Sequence, residues 1–319
     1  MVKQTMLIIF FWPIFLFAQI KWKCVDSIYQ PLPKSVHVYY TNDNIDGKPN
    51  IAYYVTAELK DKTLDFTTQI GNGKRLTPTQ YFTEEQKPLL VMNCTFFEFI
   101  HNSNLNVVIK DSKLLAYHLH NFAGKGKDTL TYFHPFGSAL GISKSRKADI
   151  AWLYTDSSET RAYASQKVIN ALKDSVSNHT KKEMLGYGSF KKWKVKTAVG
   201  GGPVLIQNGE IQISNNEEMK FIGKAISDKH PRTSMGYTSD GKLIMMVIEG
   251  RFPGKAEGAT LTQEANLMKE IGCVEAFNLD GGGSSCLLIN GKQTITPSDK
   301  EGQRPVPAVF MIKSLDIGH

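Results

Sequence analysis

The stretch that decides the fold begins Lys242-Leu243-Ile244-Met245-Met246-Val247-Ile248-Glu249-Gly250-Arg251. It continues through Thr260-Leu261-Thr262-Gln263-Glu264-Ala265-Asn266-Leu267-Met268-Lys269-Glu270-Ile271-Gly272 and closes with Cys273-Val274-Glu275-Ala276-Phe277-Asn278-Leu279-Asp280-Gly281-Gly282-Gly283. The outer pieces are short apolar runs of the kind that form buried strands. In the middle piece Thr260 and Gln263 make a capping box, Leu261, Ala265, Met268 and Gly272 share one helical face, and Gly272 is placed as the C-cap. Strand, helix, strand at this spacing is a βαβ unit, which sets its two strands parallel in one sheet. Glu249 and Asp280 each follow the last residue of one of these strands. Both carboxylates are therefore predicted at the same carboxyl edge, where open sheets place their ligands.

Working outward, Thr233 to Thr238, a turn at Asp240-Gly241 and Lys242 to Ile248 read as a hairpin. Gly200-Gly201-Gly202-Pro203 leads into Val204 to Gln207, and Asn208-Gly209 is a type I′ signal before Glu210 to Ile213. No Gly-Lys-Ser/Thr follows these glycines at the spacing a phosphate-binding P-loop needs. Nearer the N-terminus, Ile51 to Leu59 and Thr63 to Ile70 are predicted strands joined by a turn at 60–62. Thr77-Pro78 opens a short helix running to about Gln86 and ended by Pro88. Leu89 to Met92 is then a buried strand that delivers Asn93-Cys94-Thr95-Phe96-Phe97, so Asn93 stands to its strand as Asp280 does to its own. Between 101 and 190 the pattern is weaker: a hairpin around Asp111-Ser112-Lys113, a loop at 124–127 and a helix over 158–174. His118, His120 and His134 are read there as solvent-facing or internally satisfied. The predicted architecture is α+β: a single domain around a large, strongly twisted mixed β-sheet, with antiparallel hairpins and one βαβ crossover, flanked by helices.

Lys3 precedes an apolar run from Met6 to Ala18 that is too short to span a bilayer, and Gln19, Lys21 and Lys23 follow it. Residues 1–18 read as a signal peptide, 19–49 as an N-terminal segment and 50–319 as the functional domain. An exported protein with no stable membrane span after signal removal is expected. Cys24 is preceded by residues too basic for a lipoprotein site. The net charge of +8 comes from scattered Lys and Arg, which argues against a nucleic-acid groove; Lys191 to Lys196 reads as one solvated face. A basic exported protein suits a polyanionic partner such as a phosphate-containing glycan. The four cysteines allow three complete pairings and have no metal-site spacing. Cys94 with Cys286 is the pair favoured by the motifs, with free buried thiols as the alternative.

Three consecutive glycines give a core nothing to pack and belong where backbone must approach something closely. Asp280 and Glu249 at one sheet edge form a carboxylate pair of the kind that breaks glycosidic bonds. Arg232, Arg251 and Arg304 add guanidinium forks suited to phosphate, and the amides of Gly281, Gly282 and Gly283, with Ser284, offer an oxyanion nest. Together they point to a sugar joined to a phosphate. No cofactor is expected. No metal is expected either, although Asp280, Glu249 and Asn93 are oxygen donors of the type a hard cation takes.

Asn278-Leu279-Asp280-Gly281-Gly282-Gly283-Ser284-Ser285, Glu249-Gly250-Arg251, Arg232-Thr233, Gly202-Pro203 with Asn208-Gly209, Asn93 through Phe97 and Arg304-Pro305-Val306 occur in the order seen in the phosphodiester glycosidase family. The resemblance covers roughly residues 50–313 and is densest from 197 onward. It implies hydrolysis between an anomeric carbon and a phosphate oxygen of a glycosyl phosphodiester. In that chemistry Asp280 stabilises an oxocarbenium ion or forms a glycosyl intermediate, Glu249 activates water or orients a hydroxyl, the arginines stabilise the phosphate leaving group, and Asn93 is catalytic or positioning. Two departures stand out. Cys94-Thr95 replaces the family's Gly-Gly, and Glu249 stands where Asp is common. Asn93-Cys94-Thr95 and Asn178-His179-Thr180 also match the glycosylation acceptor pattern. Two alternatives remain open at this level: a non-catalytic module that binds phosphorylated glycans, and a hydrolase of ordinary glycosidic bonds in an exported polysaccharide.

Overall fold

A computed structural model of the chain describes residues 19–158, 160–221 and 223–315. The signal-peptide expectation for 1–18 lies outside the described residues. The site is carried by an eight-stranded sheet in the order Lys23–Cys24, Val36–Thr41, Ala52–Glu58, Lys242–Ile248, Arg232–Thr238, Cys273–Asn278, Val204–Gln207, Glu210–Ile211. Arg232–Thr238 pairs antiparallel with Lys242–Ile248 on one side and with Cys273–Asn278 on the other. The two strands of the predicted βαβ unit therefore do run parallel in one sheet. They do not pair with each other, because the hairpin strand Arg232–Thr238 lies between them, and the ladders of this sheet are antiparallel.

The crossover helix Leu261–Glu270 starts as its sequence predicts. The Thr260 hydroxyl accepts from the Gln263 N–H and the Gln263 side chain accepts from the Thr260 N–H. Gly272 follows the helix in the left-handed conformation, φ 99°, as a residue past the C-cap should. Leu261, Ala265 and Met268 bury one face against Leu205, Ile244, Met246, Ile248 and Ala276. Alternate residues of the same strands, Met245, Val247, Met235, Phe277 and Leu279, face a second and larger core. That core is shared with a seven-stranded sheet containing Gly137–Ile142 and Thr197–Gly200 and a five-stranded sheet. The five-stranded sheet has the order Lys292–Gln293, Leu287–Ile289, Leu90–Asn93, Ala308–Ser314, Leu64–Ile70. Truncating a fully buried member such as Phe277 to Ala costs about 3–5 kcal/mol by lost transfer energy and cavity formation.

Three expectations change. The strands Ala52–Glu58 and Leu64–Ile70 form where predicted, but the turn between them passes the chain from the eight-stranded to the five-stranded sheet. Among the described residues of 158–174 no helix forms; that region carries the short strands Tyr163–Ser165 and Leu172–Asp174, paired with Trp152–Tyr154 and Tyr132–His134. A helix begins later, at Lys181–Gly186, where Thr180 and Glu183 form a capping box. All four cysteines are free thiols. Cys94 faces the larger core, whereas Cys286 lies on the opposite face of the five-stranded sheet with Tyr81, Val91 and Leu288. Adjacent strands thus hold the two thiols apart.

Candidate active site

A cleft of ≈ 290 Å³ opens at the carboxyl edge of the large sheet, lined by Phe96, Phe221, Ala225, His230, Pro231, Arg232, Arg251, Asp280, Gly281, Gly282, Gly283 and Arg304. Asp280, the three glycines and all three predicted arginines thus meet at one place. The chain reaches it from Leu279, whose N–H donates to the Thr233 carbonyl at 2.7 Å, and the Asp280 N–H donates to the Cys94 carbonyl at 2.8 Å. Burial pushes the Asp280 carboxyl up to about 7; the Ser284 hydroxyl, the Arg304 guanidinium and the Gly281 N–H pull the other way. A carboxyl poised near neutrality is what acid–base or charge-stabilising chemistry needs.

The glycine run has an identified purpose. A Cβ on Gly283 would lie 2.2 Å from Arg304 Nη2, and one on Gly282 would lie 2.9 Å from Arg251 Nη2. Gly282 also has φ 61°, a conformation only glycine adopts freely. The loop is stripped of side chains so that two guanidinium groups can lie against its backbone. The amide nest forms only in part, since the Gly282 N–H already donates to the Pro231 carbonyl at 2.8 Å. Ser284 is buried and takes a long bond from Arg304 Nη1, 3.4 Å. Arg304 is oriented by Asp299 Oδ2 at 2.7 Å and lies over the Phe99 ring at 5.7 Å; Asp299 is in turn held below its ordinary range by that bond. Arg251, exposed, keeps φ 66°, a left-handed conformation that costs a non-glycine residue roughly 1–2 kcal/mol. Arg232 is buried. Its Nε donates to the Ala259 carbonyl at 2.8 Å and its guanidinium lies 5.6 Å from the Phe221 ring centre; the buried Glu264, whose carboxyl burial pushes up to about 7, favours the Arg232 charge when ionised.

Glu249 and Asn93 do not line the cleft. Glu249 continues the alternation of Met245 and Val247, which face the larger core, while Ile248, Arg232 and Asp280 belong to the opposite parity. Its carboxylate, nearly fully buried, accepts from the Thr296 N–H at 2.7 Å and pairs with Lys255 Nζ at 3.1 Å. The common edge predicted for the two carboxylates is present, but they occupy different sides of it. Asn93 is completely buried beneath the site. Its Nδ2 donates to the Asp280 carbonyl at 2.6 Å, and its Oδ1 accepts from the Cys286 N–H at 3.0 Å and the Thr233 hydroxyl at 3.1 Å. It ties three segments together, and this burial leaves no room for a glycan. The departures Cys94 and Thr95 also turn inward, Cys94 into the core and Thr95 onto Asn104 Oδ1 at 2.5 Å, so neither obstructs the cleft. Burial pushes the Cys94 thiol up to about 12, which keeps it inert at neutral pH.

Sequence reasoning passed over His230 and Phe221, and named Phe96 only as part of the Asn93–Phe97 motif. His230 is half-buried, and burial together with Arg232 and Arg251 pushes its imidazole below its ordinary value, keeping it neutral. Its position two residues ahead of Arg232 was the available signal. A larger groove, ≈ 480 Å³, lies between Leu114, Arg161 and Trp193, but it contains neither the acid nor the glycine loop.

The chain is similar to known proteins over this same region. The profile of the phosphodiester glycosidase family matches residues 89–313. An uncharacterized SPbeta prophage-derived protein of Bacillus subtilis is 41% identical over 71 residues, 22% of this chain and 11% of that one. Mouse N-acetylglucosamine-1-phosphodiester alpha-N-acetylglucosaminidase is 31% identical over 103 residues, 30% of this chain and 20% of that one. The chain therefore aligns with about a tenth to a fifth of the length of these relatives. Among solved structures, the catalytic domain of the zebrafish enzyme of that name, auto-inhibited by its pro-peptide, superposes with a TM-score of 0.59 at 18% identity, covering 93% of this chain and 88% of that one. A hypothetical protein from Synechocystis superposes with a TM-score of 0.61 at 15% identity, covering 92% and 63%. At such identities the superpositions establish the fold.

Proposed function

Because this chain belongs to the phosphodiester glycosidase family, we propose that it hydrolyses a glycosyl phosphodiester to free sugar and phosphomonoester, with Asp280 at the reacting centre. The observation that carries this reading is the placement of one poised carboxyl in the same cleft as two guanidinium groups packed on a glycine backbone. A phosphate leaving group is a weak base, so its departure needs fixed positive charge more than a proton. Arg251 and Arg304 supply that charge, while Arg232 anchors the cleft wall. Ionised Asp280 stabilises the positive charge developing at the anomeric carbon. Water attacks that carbon, the bond to the phosphate oxygen breaks, and the water's proton passes to the neutral imidazole of His230. Phe96 and Phe221 offer apolar faces to the sugar. Glu249 and Asn93 act as positioning residues, holding the segments that carry Arg251 and Asp280.

The sugar-phosphate bearing partner is a phosphate-containing glycan outside the cell, in keeping with the export expected from the first 18 residues; no helix among the described residues is long and apolar enough to cross a membrane. The test is phosphorus NMR of the protein incubated with glycosyl phosphodiesters of both anomeric forms, beside Asp280→Asn. Phosphomonoester from the parent and none from the variant is the expected result. Binding without product would favour a glycan-recognition module, and turnover of neutral oligosaccharides in place of phosphodiesters would favour an ordinary glycosidase.

A further inference from the structure

We propose that His134, Asp174 and His179 bind one divalent transition metal of the Zn²⁺ type, which fastens an outlying three-stranded sheet to the helix Lys181–Gly186. The sheet has the order Leu172–Asp174, Tyr132–His134, Phe122–Ala123. Its register pairs Leu172 with His134, so Asp174, two residues on, shares a face with His134. His179 immediately precedes Thr180, whose capping box with Glu183 fixes the direction in which the chain enters the helix. The donor atoms of the three residues all lie within 4.8 Å of one another.

The argument turns on lone pairs. His134 is fully buried, and both its ring nitrogens face oxygen acceptors. With its amide oriented so that Nδ2 donates to Asn178 Oδ1 at 2.7 Å, Asn121 places its Oδ1 2.7 Å from His134 Nδ1. Nε2 lies 3.0 Å from the Val176 carbonyl and 3.5 Å from Asp174 Oδ1. Whichever nitrogen of a neutral ring carries the hydrogen, the other confronts an oxygen. His179 repeats the pattern, with Nε2 2.7 Å from Asp174 Oδ2 and Nδ1 3.6 Å from Glu183 Oε2. The two rings stand 4.6 Å apart and nearly perpendicular. A single divalent cation placed among these groups accepts both Nε2 lone pairs, the Asp174 carboxylate and the Val176 carbonyl.

Two imidazoles with two oxygens is a donor set for Zn²⁺ and its neighbours rather than for Mg²⁺ or Ca²⁺. With metal–ligand bonds of about 2.0–2.1 Å, tetrahedral ligands stand roughly 3.4 Å apart, so the widest pair of the present cluster closes by up to about 1.4 Å on binding. The second nitrogen of each ring already has the outer partner that metal-bound histidines use, Asn121 Oδ1 for His134 and Glu183 for His179. Asp174 and Glu183 keep side-chain exposures of 34% and 56%, and His179 borders a ≈ 240 Å³ hollow with His120, Asn178 and Met184. An ion can therefore enter.

The experiment uses the full chain without a histidine tag, stripped with chelator and titrated calorimetrically with Zn²⁺, with Co²⁺ as an optical reporter and thermal melts with and without Zn²⁺. One equivalent of Zn²⁺ should bind with Kd below about 1 μM. Co²⁺ should give tetrahedral d–d bands, and Zn²⁺ should raise Tm. Asp174→Asn and His179→Gln, both of which keep side-chain volume, should weaken binding by more than about 100-fold and abolish the Tm shift. Failure of the parent to take up metal, or equal uptake by both variants, would overturn the proposal. So would imidazole NMR in which His134 stays doubly protonated up to pH 8 in excess Zn²⁺.

Discussion

The ends of the strands Lys242–Ile248 and Cys273–Asn278 invite comparison, since each strand runs to the same edge of the same sheet and each then delivers an acid followed by glycine. One end, at Asp280, opens into the arginine-lined cleft. The other, at Glu249, is closed over by Lys255 and the Thr296 N–H. Topology sets the edge at which a side chain emerges, and the count of residues along the pleat sets the face. A carboxylate one position out of phase is enclosed instead of opening into the cleft.

The largest expected effect lies at the open end. Asp280→Asn should lower kcat on a glycosyl phosphodiester by about 10³-fold or more, while Glu249→Gln stays within about 10-fold; comparable losses by phosphorus NMR kinetics would erase the distinction drawn here. Next is Arg304→Ala, for which a loss of about 10²-fold in kcat/KM is expected. Because Arg304 lowers the Asp280 pKa, its removal should also move the alkaline-rising limb of the pH–rate profile, expected near pH 7 in the parent, to higher pH. A limb that stays in place would assign it to another group. Gly283→Ala should act in the same direction through displacement of the Arg304 guanidinium, by about 10-fold in kcat/KM, with stability changed by less than about 1 kcal/mol. An unchanged kcat/KM would mean that the guanidinium need not rest on this backbone.

The smallest effect is thermodynamic. The Asp280 carboxyl has a folded-state pKa of about 7 against an ordinary 3.8, so the folded protein holds this proton more tightly than the unfolded chain does. Its contribution to stability is fully present below about pH 4 and is lost as pH rises towards and through 7. Asp280→Asn should therefore stabilise the protein by on the order of 1–3 kcal/mol at pH 8 and by almost nothing at pH 4. Glu249→Gln should instead destabilise it at pH 8 by about 1–2 kcal/mol. Equal Tm shifts at both pH values would show that Asp280 is not desolvated in the way described.

What the sequence made legible was set by local chemistry. Asn208 and Gly209 both adopt positive φ, 52° and 77°, as a type I′ turn demands, and Thr260 with Gln263 caps the helix that it announces. These signals need no distant partner. The strands Tyr163–Ser165 and Leu172–Asp174 were invisible because the pairing that makes them strands comes from Trp152–Tyr154 and Tyr132–His134. The overlooked Thr180–Glu183 capping box, by contrast, was a local signal and could have been found. At the site, the glycine run declared that something would press on it, but only the fold identifies Arg251 and Arg304 as what does. Asn93 was picked out for its place after a buried strand, and the structure gives the reason as a buried clamp rather than a contact with substrate.

That clamp has a consequence for how the protein comes into being. One carboxamide, on Asn93, gathers the backbone at Asp280 and Cys286 and the hydroxyl of Thr233, and the strand Ala308–Ser314 slides between Leu64–Ile70 and Leu90–Asn93. Contacts this remote along the chain form late and together. A ribosome that has not yet reached Phe221 has made only Phe96 of the residues that line the cleft, and the sheet beneath it stays open until the closing strand is in place.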